Sequence, residues 1–262
     1  MELELKEYPY KDKKISFTLE EKQINGLSGS HIEDIIEIIR LNGKRKDHIK
    51  INHKEIKEKD ICEIKKKIAY IQEIPVESKS LTIKEEMIEY IKQQETYPKN
   101  LKKKLKDSLK IVGLEETILE RNYATLSSSE QKMVQVAKEL LCNPELIILE
   151  EPFKRLDMKS KKDFIRVLRK IKDQNNRTIV IVSDDPEVLY QDTEHLIIIK
   201  NEKVLLEEKT QEAYQRVDFL KKHKVEIPEI IEFTYLAKKK KNVKIDYFRD
   251  IRDIIKDIYK HV

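Results

Sequence analysis

Two adjacent carboxylates, Glu150 and Glu151, directly follow the apolar run Leu146–Leu149. Such a run is typical of a buried strand, and open α/β sheets bind their ligands at the carboxyl ends of strands. Two carboxylates in that place could coordinate Mg²⁺ and activate a water molecule. A plain polar exit from a strand into a loop would contain the same residues, and this feature alone favours that simpler interpretation.

Three further polar motifs surround this pair in the sequence. Leu126-Ser127-Ser128-Ser129-Glu130 precedes it and heads a segment of helical spacing, while Leu156-Asp157 follows it closely. Ser183-Asp184-Asp185 comes after the next apolar run. The order and spacing of the four motifs resemble those of ATP-binding-cassette (ABC) ATPases, and residues 124–152 align with that family without a gap.

The resemblance implies a role for each motif. Residues 126–130 would form the signature loop, with Ser127, Ser128 and Ser129 near nucleotide. Glu150 stands where the family has the metal-binding aspartate of the Walker B strand, and Glu151 stands at the general-base position. Asp157 would belong to the D-loop, and Asp184 replaces the switch histidine.

Weaker resemblance extends beyond these motifs. Tyr70-Ile71-Gln72 is similar to the Q-loop, whose glutamine contacts Mg²⁺ and whose neighbourhood receives the membrane subunit. Tyr8 and Tyr10 stand where the family places an aromatic that stacks on adenine, although packing in an N-terminal strand is an equal alternative. Residues 225–239 resemble the C-terminal segment of energy-coupling factor transporter ATPases, which drive uptake of vitamins and transition-metal ions.

The phosphate loop departs most from the family pattern, Gly-x-x-Gly-x-Gly-Lys-Ser/Thr. The corresponding stretch is 26–33, in which Gly26, Gly29 and Ser30 could still contact phosphate. His31 replaces the third glycine, Ile32 the lysine and Glu33 the hydroxyl residue that holds Mg²⁺. Ile32 removes charge-assisted hydrogen bonds of about 1.5–3 kcal/mol each. Own-site binding of ATP and Mg²⁺, with Glu33, Gln72 and Glu150 as candidate metal ligands, is therefore doubtful.

A structural use remains for the altered loop. Ser30-x-x-Glu33 matches the capping-box pattern, and the acidic residues Glu33 and Asp34 suit a helix N-terminus. We therefore expect these side chains to satisfy the helix end that ATP occupies in the family.

The pattern of apolar runs predicts the elements that position these residues. Strands are expected at 15–19, 67–71, 146–149, 178–182 and 196–199, followed by an apolar run at 203–206. Helical spacing covers 32–41, about 82–119 with a stop at Gly113, 128–141 and 160–172. Apolar strands alternating with helices indicate an α/β fold: a mostly parallel sheet flanked by helices, preceded by antiparallel N-terminal β segments.

The expected organisation is a nucleotide-binding domain of the P-loop NTPase-like ABC type at 1–206, containing a helical signature subdomain at about 82–140. Residues 207–262 are expected to be a helical appendage with a turn near Ile227-Pro228. The resemblance implies that this appendage serves in dimerisation.

Bulk properties exclude several classes of protein. The 262 residues include 54 Lys and Arg against 49 Asp and Glu, and this net charge of +5 is too small to indicate nucleic-acid binding. Two distant cysteines favour a reducing compartment over a disulfide or metal role. Neither a membrane-spanning run nor a secretory leader is recognisable, so membrane association would require a partner.

Two functions fit the resemblance. In the first, the chain is an ATPase subunit of an energy-coupling factor transporter on the cytoplasmic face of the membrane. It would pair head to tail with a second, non-identical ABC subunit and with a transmembrane coupling subunit, and Ser127 and Asp157 would complete the partner's ATP site. In the alternative, it is a non-catalytic scaffold or regulatory protein without a membrane partner.

Overall fold

The elements of the chain are those of a computed structural model, which describes residues 1–73, 81–95, 99–241, 246 and 251–260. The strands are β1 Leu3–Tyr10, β2 Lys13–Leu19, β3 Ile24–Gly29, β4 Ile49–Ile51, β5 Lys54–Glu55, β6 Ile68–Ile71, β7 Leu146–Glu150, β8 Thr178–Val182, β9 His195–Lys200 and β10 Lys203–Lys209. The helices are α1 Ile32–Ile39, α2 Ile61–Lys65, α3 Ile83–Gln93, α4 Leu101–Val112, α5 Ser128–Leu140, α6 Met158–Asn175, α7 Pro186–Asp192, α8 Thr210–Gln215, α9 Val217–Lys222, α10 Glu229–Lys241 and α11 Ile251–Lys260.

The central sheet has six strands in the order β10-β9-β3-β8-β7-β6. The pairs β9–β3, β3–β8, β8–β7 and β7–β6 are parallel, and only β10 pairs antiparallel, with β9. All five residues of β8 are buried, as expected for a strand covered on both faces. The predicted, mostly parallel α/β sheet is confirmed.

Successive residues of the central strands face opposite sides of the sheet and enter two different cores. Ile147, Leu149 and Ile179 pack with the helices α3 to α6 on one side. Ile148 and Val180 pack on the other side with α1 and the N-terminal strands. Alternate side chains along each strand therefore contact the helices α3 to α6 on one face of the sheet and α1 with the N-terminal strands on the other face.

The N-terminal strands form a separate antiparallel sheet in the order β2-β1-β4-β5. In β2 the residues Ile15, Phe17 and Leu19 are buried and alternate with more exposed ones, as the sequence pattern predicts. The short strands β4 and β5 and the helix α2 lack long apolar patterns and were not predicted from the sequence.

The helical stretch expected at about 82–119 is divided in the structure. It contains α3, α4 and a 3₁₀ turn at Glu116–Glu120. Gly113 ends α4 with φ 78°, as predicted, because a residue without a side chain adopts this left-handed conformation readily. Both α3 and α4 pack against α5.

The described part of the C-terminal region contains the helices α8, α9, α10 and α11. Strand β10 continues to Lys209, three residues past the expected domain boundary at 206, because Leu206–Lys209 pair with β9. The expected turn at Ile227-Pro228 directly precedes α10. Part of the expected appendage, at 242–245, 247–250 and 261–262, lies outside the described residues.

Candidate functional site

The carboxyl ends of β3, β7 and β8 lie side by side and bring two of the predicted site residues, Glu151 and Asp184, together. Ser28 at the end of β3 donates a hydrogen bond from Oγ to Asp184 Oδ1 over 3.2 Å. The Glu151 carboxylate accepts from the backbone N–H of Asp184 over 3.0 Å and from Ser183 Oγ over 3.1 Å. The common edge predicted from the strand pattern is therefore present.

Glu151 is held in one position by its backbone as well as by its side chain. Its N–H donates to the carbonyl of Val182 over 2.8 Å, and its φ is 42°, in the left-handed region. Both carboxylate oxygens already accept hydrogen bonds from the residues that follow β8. A general base must have a carboxylate oxygen that accepts a hydrogen bond from the water. The two contacts of Glu151 compete with water for its carboxylate oxygens.

Glu150, the other member of the carboxylate pair, is bonded to Tyr70 on the neighbouring strand β6. The Tyr70 hydroxyl donates to Glu150 Oε2 over 2.8 Å. Burial, and then this hydrogen bond, raises the pKa of Tyr70 to about 12. Gln72 follows β6 at the same edge and is exposed. Within the described residues no group of three or more His, Cys, Asp or Glu side chains is placed to hold a metal ion.

The turn that corresponds to the phosphate loop is short. Strand β3 continues to Gly29, which pairs with Ile199, and α1 begins at Ile32, so only Ser30 and His31 lie between them. The Ser30 N–H donates to the Ile199 carbonyl over 3.2 Å. A phosphate loop instead directs consecutive backbone N–H groups at the phosphates. This backbone therefore does not have the shape of a phosphate cradle.

The side chains at this turn agree with its backbone. Ile32, at the lysine position, is partly buried and packs against the core between the two sheets. Glu33 and Asp34 follow in the first turn of α1, where their negative charge stabilises the positive end of the helix dipole. The same charge repels a triphosphate. Both features are unfavourable for holding a Mg²⁺-triphosphate at this turn.

The capping box expected at Ser30 and Glu33 is wrong. The residue that caps α1 is His31, with φ 57° and ψ 40°, and its side chain makes no capping hydrogen bond. The box would require Ser30 to be the cap in extended conformation. Pairing of β3 with β9 prevents this, because it binds the Ser30 N–H to Ile199.

Tyr10 is buried, with 6% of its surface exposed, and packs in the core between the two sheets. Its hydroxyl donates to Asp34 Oδ2 over 3.0 Å, which ties β1 to the first turn of α1. Burial, and then this hydrogen bond, raises the pKa of Tyr10 to about 12. These contacts give the ring a packing role, and stacking on adenine stays a prediction for Tyr10.

The predicted signature loop begins a well-capped helix. Ser127 is the N-cap of α5: its Oγ accepts from the Glu130 N–H over 3.3 Å, and Glu130 Oε2 accepts from the Ser127 N–H over 2.8 Å. The Glu130 carboxylate accepts hydrogen bonds from the Ser127 N–H and from the Ser127 hydroxyl, and these two bonds, the backbone one first, lower the pKa of Glu130. Ser128 is exposed and Ser129 half-exposed at the start of the helix, so this face is open to a partner.

Asp157 has the equivalent position on α6. Its Oδ1 accepts from the Ser160 N–H over 2.8 Å, and this contact is the main cause of its lowered pKa. Asp157 and Ser127 belong to different helices and do not contact the edge formed by Glu151 and Asp184. The predicted residues therefore form two groups. One group lies at the carboxyl ends of the central strands, and the other lies at the N-termini of α5 and α6.

The two possible caps differ in their expected effect on stability. Ser127→Ala removes the side-chain bond to Glu130 and is expected to lower the free energy of unfolding by about 1 kcal/mol. Ser30→Ala is the matched control and is expected to change it by less than about 0.5 kcal/mol, because the Ser30 side chain caps nothing. Urea denaturation followed by circular dichroism measures both values. Equal losses in the two variants would contradict the assignment of the caps.

Comparisons with known proteins agree with this geometry. Residues 13–154 match the protein family described as ABC transporter. The energy-coupling factor transporter ATP-binding protein EcfA2 of Clostridium perfringens is 28% identical over 204 residues, which cover 75% of this chain and 67% of that protein. The protein of the same name from Staphylococcus aureus is 24% identical over 223 residues, covering 82% and 75% respectively.

Solved structures with the same fold include cbiO1 of Clostridium perfringens, described as part of the ABC transporter complex cbiONQ. It has a TM-score of 0.73 and 19% identity, and the match covers 89% of this chain and 98% of that one. A dimeric bacterial ABC transporter cassette matches with a TM-score of 0.62 and 22% identity, covering 79% and 98%. Together with the family match over more than half of the sequence, the strand order and the motif positions, these findings show that the chain belongs to the ABC transporter family and has the fold of its ATP-binding cassettes.

Proposed function

We propose that this protein is a cassette subunit of an energy-coupling factor transporter that completes the ATP site of a partner cassette, while its own phosphate loop does not hold ATP. The observation that carries this proposal is the two-residue turn between β3 and α1. Its Ser30 N–H is bonded to Ile199, Ile32 takes the place of a cation, and Glu33 adds negative charge. Each of these three features disfavours phosphate.

The other half of a cassette ATP site is better preserved. In the arrangement expected for the family, each ATP lies between the phosphate loop of one subunit and the signature loop of the other. Ser127 and Asp157 begin two capped helices whose first turns are exposed. This chain would therefore contribute these two residues, and a non-identical partner would contribute the phosphate loop, the metal and the catalytic base.

The proposed assembly also contains a transmembrane coupling subunit. In the described part of the chain, no helix has the length and apolarity to cross a bilayer. We assign the attachment to the region around Gln72 and the helical subdomain at about 82–140, which would place the protein on the cytoplasmic face of the membrane. Residues 207–262 would serve in dimerisation, as the resemblance of 225–239 suggests.

Nucleotide binding to the isolated chain tests the proposal. A fluorescent ATP analogue with Mg²⁺ is expected to show no saturable binding up to millimolar concentration, because the turn offers neither a cation nor converging N–H groups. Equilibrium fluorescence anisotropy measures this, with the double variant Ile32→Lys, Glu33→Thr as a comparison. Micromolar binding by the wild-type chain would show that its own site is functional and would refute the proposed division of roles.

A further inference from the structure

We propose that a small cavity beside the first two turns of α5 binds a single phosphate-sized oxyanion that carries a proton, such as hydrogen phosphate. The cavity has a volume of about 50 Å³. It is lined by α5 residues, including Lys132 and Gln135, by Glu73 after β6, and by Lys154 and Arg155 in the loop after β7. The lining also includes Ser128 of the predicted signature loop, but no residue of the phosphate-loop turn. The inference concerns the chain without a partner, so it is tested separately from the proposed function.

Two buried polar atoms of residues that line this cavity lack partners among the described residues. Gln135 is 8% exposed, and its Oε1 atom accepts no hydrogen bond. The Nζ atom of Lys132, one turn earlier on the same helix, is buried and has no acceptor. Buried polar atoms in proteins are almost always satisfied, so a ligand is expected to satisfy these two.

The unpartnered atom of Gln135 is an acceptor. Burial raises the pKa of the neighbouring Tyr123, and Gln135 opposes this shift. The amide oxygen Oε1 has no donor among the described residues and is therefore the atom available to a ligand.

The charges around the cavity favour an anion. Lys132, Lys154 and Arg155 are positive, while Glu73 is the only acidic residue that the described part of the chain contributes to the lining, and it pairs with Lys154 over 2.9 Å. Burial is the largest influence on Lys132 and lowers its pKa, which means that its ammonium group is poorly solvated. An anion in the cavity would compensate for this loss of solvation.

The two unpartnered atoms make opposite demands on the ligand. An ammonium group only donates hydrogen bonds, and an amide oxygen only accepts them. One small ion must therefore present both an accepting oxygen and an O–H donor, as hydrogen phosphate does and sulfate does not at neutral pH. A volume of about 50 Å³ corresponds to about three water molecules, each of which needs roughly 10–15 Å³, so a nucleotide does not fit.

Isothermal titration calorimetry of the full chain with inorganic phosphate tests the inference. Wild-type protein is expected to bind one phosphate and to bind sulfate more weakly. Lys132→Met keeps the length of the side chain and is expected to weaken phosphate binding about tenfold or more, since it removes a charge-assisted hydrogen bond. Lys162→Met, on the exposed surface of α6, is the matched control and is expected to leave the affinity unchanged.

Several results would overturn the inference. Absence of phosphate binding at tens of millimolar would show that solvent alone satisfies the cavity. Binding that survives Lys132→Met would place the ion elsewhere on the protein. Equal affinity for sulfate would contradict the role of Gln135 Oε1. Gln135→Ala provides a second variant, and it is expected to weaken phosphate binding while leaving sulfate binding little changed.

Discussion

ATP turnover by a complex of this chain with its cassette partner is expected to be abolished by Ser127→Arg in this chain. The partner's nucleotide would lie against the exposed N-terminus of α5 in the proposed arrangement, and a long cationic side chain there would block closure of the two subunits. Glu151→Gln in the same chain is expected to change turnover little. Phosphate release by complexes purified through a tag on this chain measures both effects.

Two features of the structure sharpen this comparison. Ser127 also caps α5, so Ser127→Ala removes the cap and the hydroxyl without adding bulk or charge, and it should lower turnover less than Ser127→Arg does. The Glu151 carboxylate accepts one hydrogen bond on each oxygen, from residues 183 and 184. A glutamine has one side-chain oxygen and can accept only one of them, so folding of this variant is checked by circular dichroism. Loss of turnover in Glu151→Gln with activity retained in Ser127→Arg would assign the chemistry to this chain's own site.

Gly29→Ala is expected to cause the largest loss of stability of any single substitution considered for this protein. Gly29 has φ 142°, and an added Cβ would lie 1.9 Å from the carbonyl oxygen of Ile199. That oxygen belongs to β9 and accepts the hydrogen bond from Ser30. Because the clash is with the backbone of a paired strand, it cannot be relieved by a rotamer change, and we expect a loss above about 4 kcal/mol.

Gly113→Ala separates the clash from the cost of the dihedral angle. Gly113 also has a positive φ, 78°, but nothing lies within 4 Å of its added Cβ. The expected loss there is about 1–2 kcal/mol, the ordinary cost of a left-handed residue with a side chain. Midpoints of urea denaturation give both values. Similar losses in the two variants would show that the close approach to Ile199 is not the cause.

The central strands were predicted well because the burial of a strand is visible in the residue types of the strand itself. A strand covered on both faces must be apolar at every position, and 178–182 meets this condition and forms β8 with the predicted bounds. The helix stop at Gly113 was predictable for the same reason, since a glycine at a helix end has a local conformational cause.

The turn after β3 was predicted incorrectly because its conformation is set by a distant strand. The pattern Ser30-x-x-Glu33 is a sound local signal, but the Ser30 N–H is bonded to Ile199, and helix α1 starts after His31. Lys132 and Gln135 were not singled out for a related reason. A lysine and a glutamine three residues apart are common on the polar face of a helix. Glu73 and Lys154 are distant in the sequence and come close to them only in the folded chain.

The position of β3 at the middle of the sheet has a consequence for synthesis of the protein. Its two neighbours are β8 and β9, which begin at Thr178 and His195. At about 5–20 residues per second, a ribosome needs on the order of ten seconds to pass from Gly29 to Thr178, and during that time the strand has neither neighbour. During this interval the apolar N-terminal segments lack their partners in the central sheet, and we expect the nascent chain to be most prone to aggregation before β8 emerges.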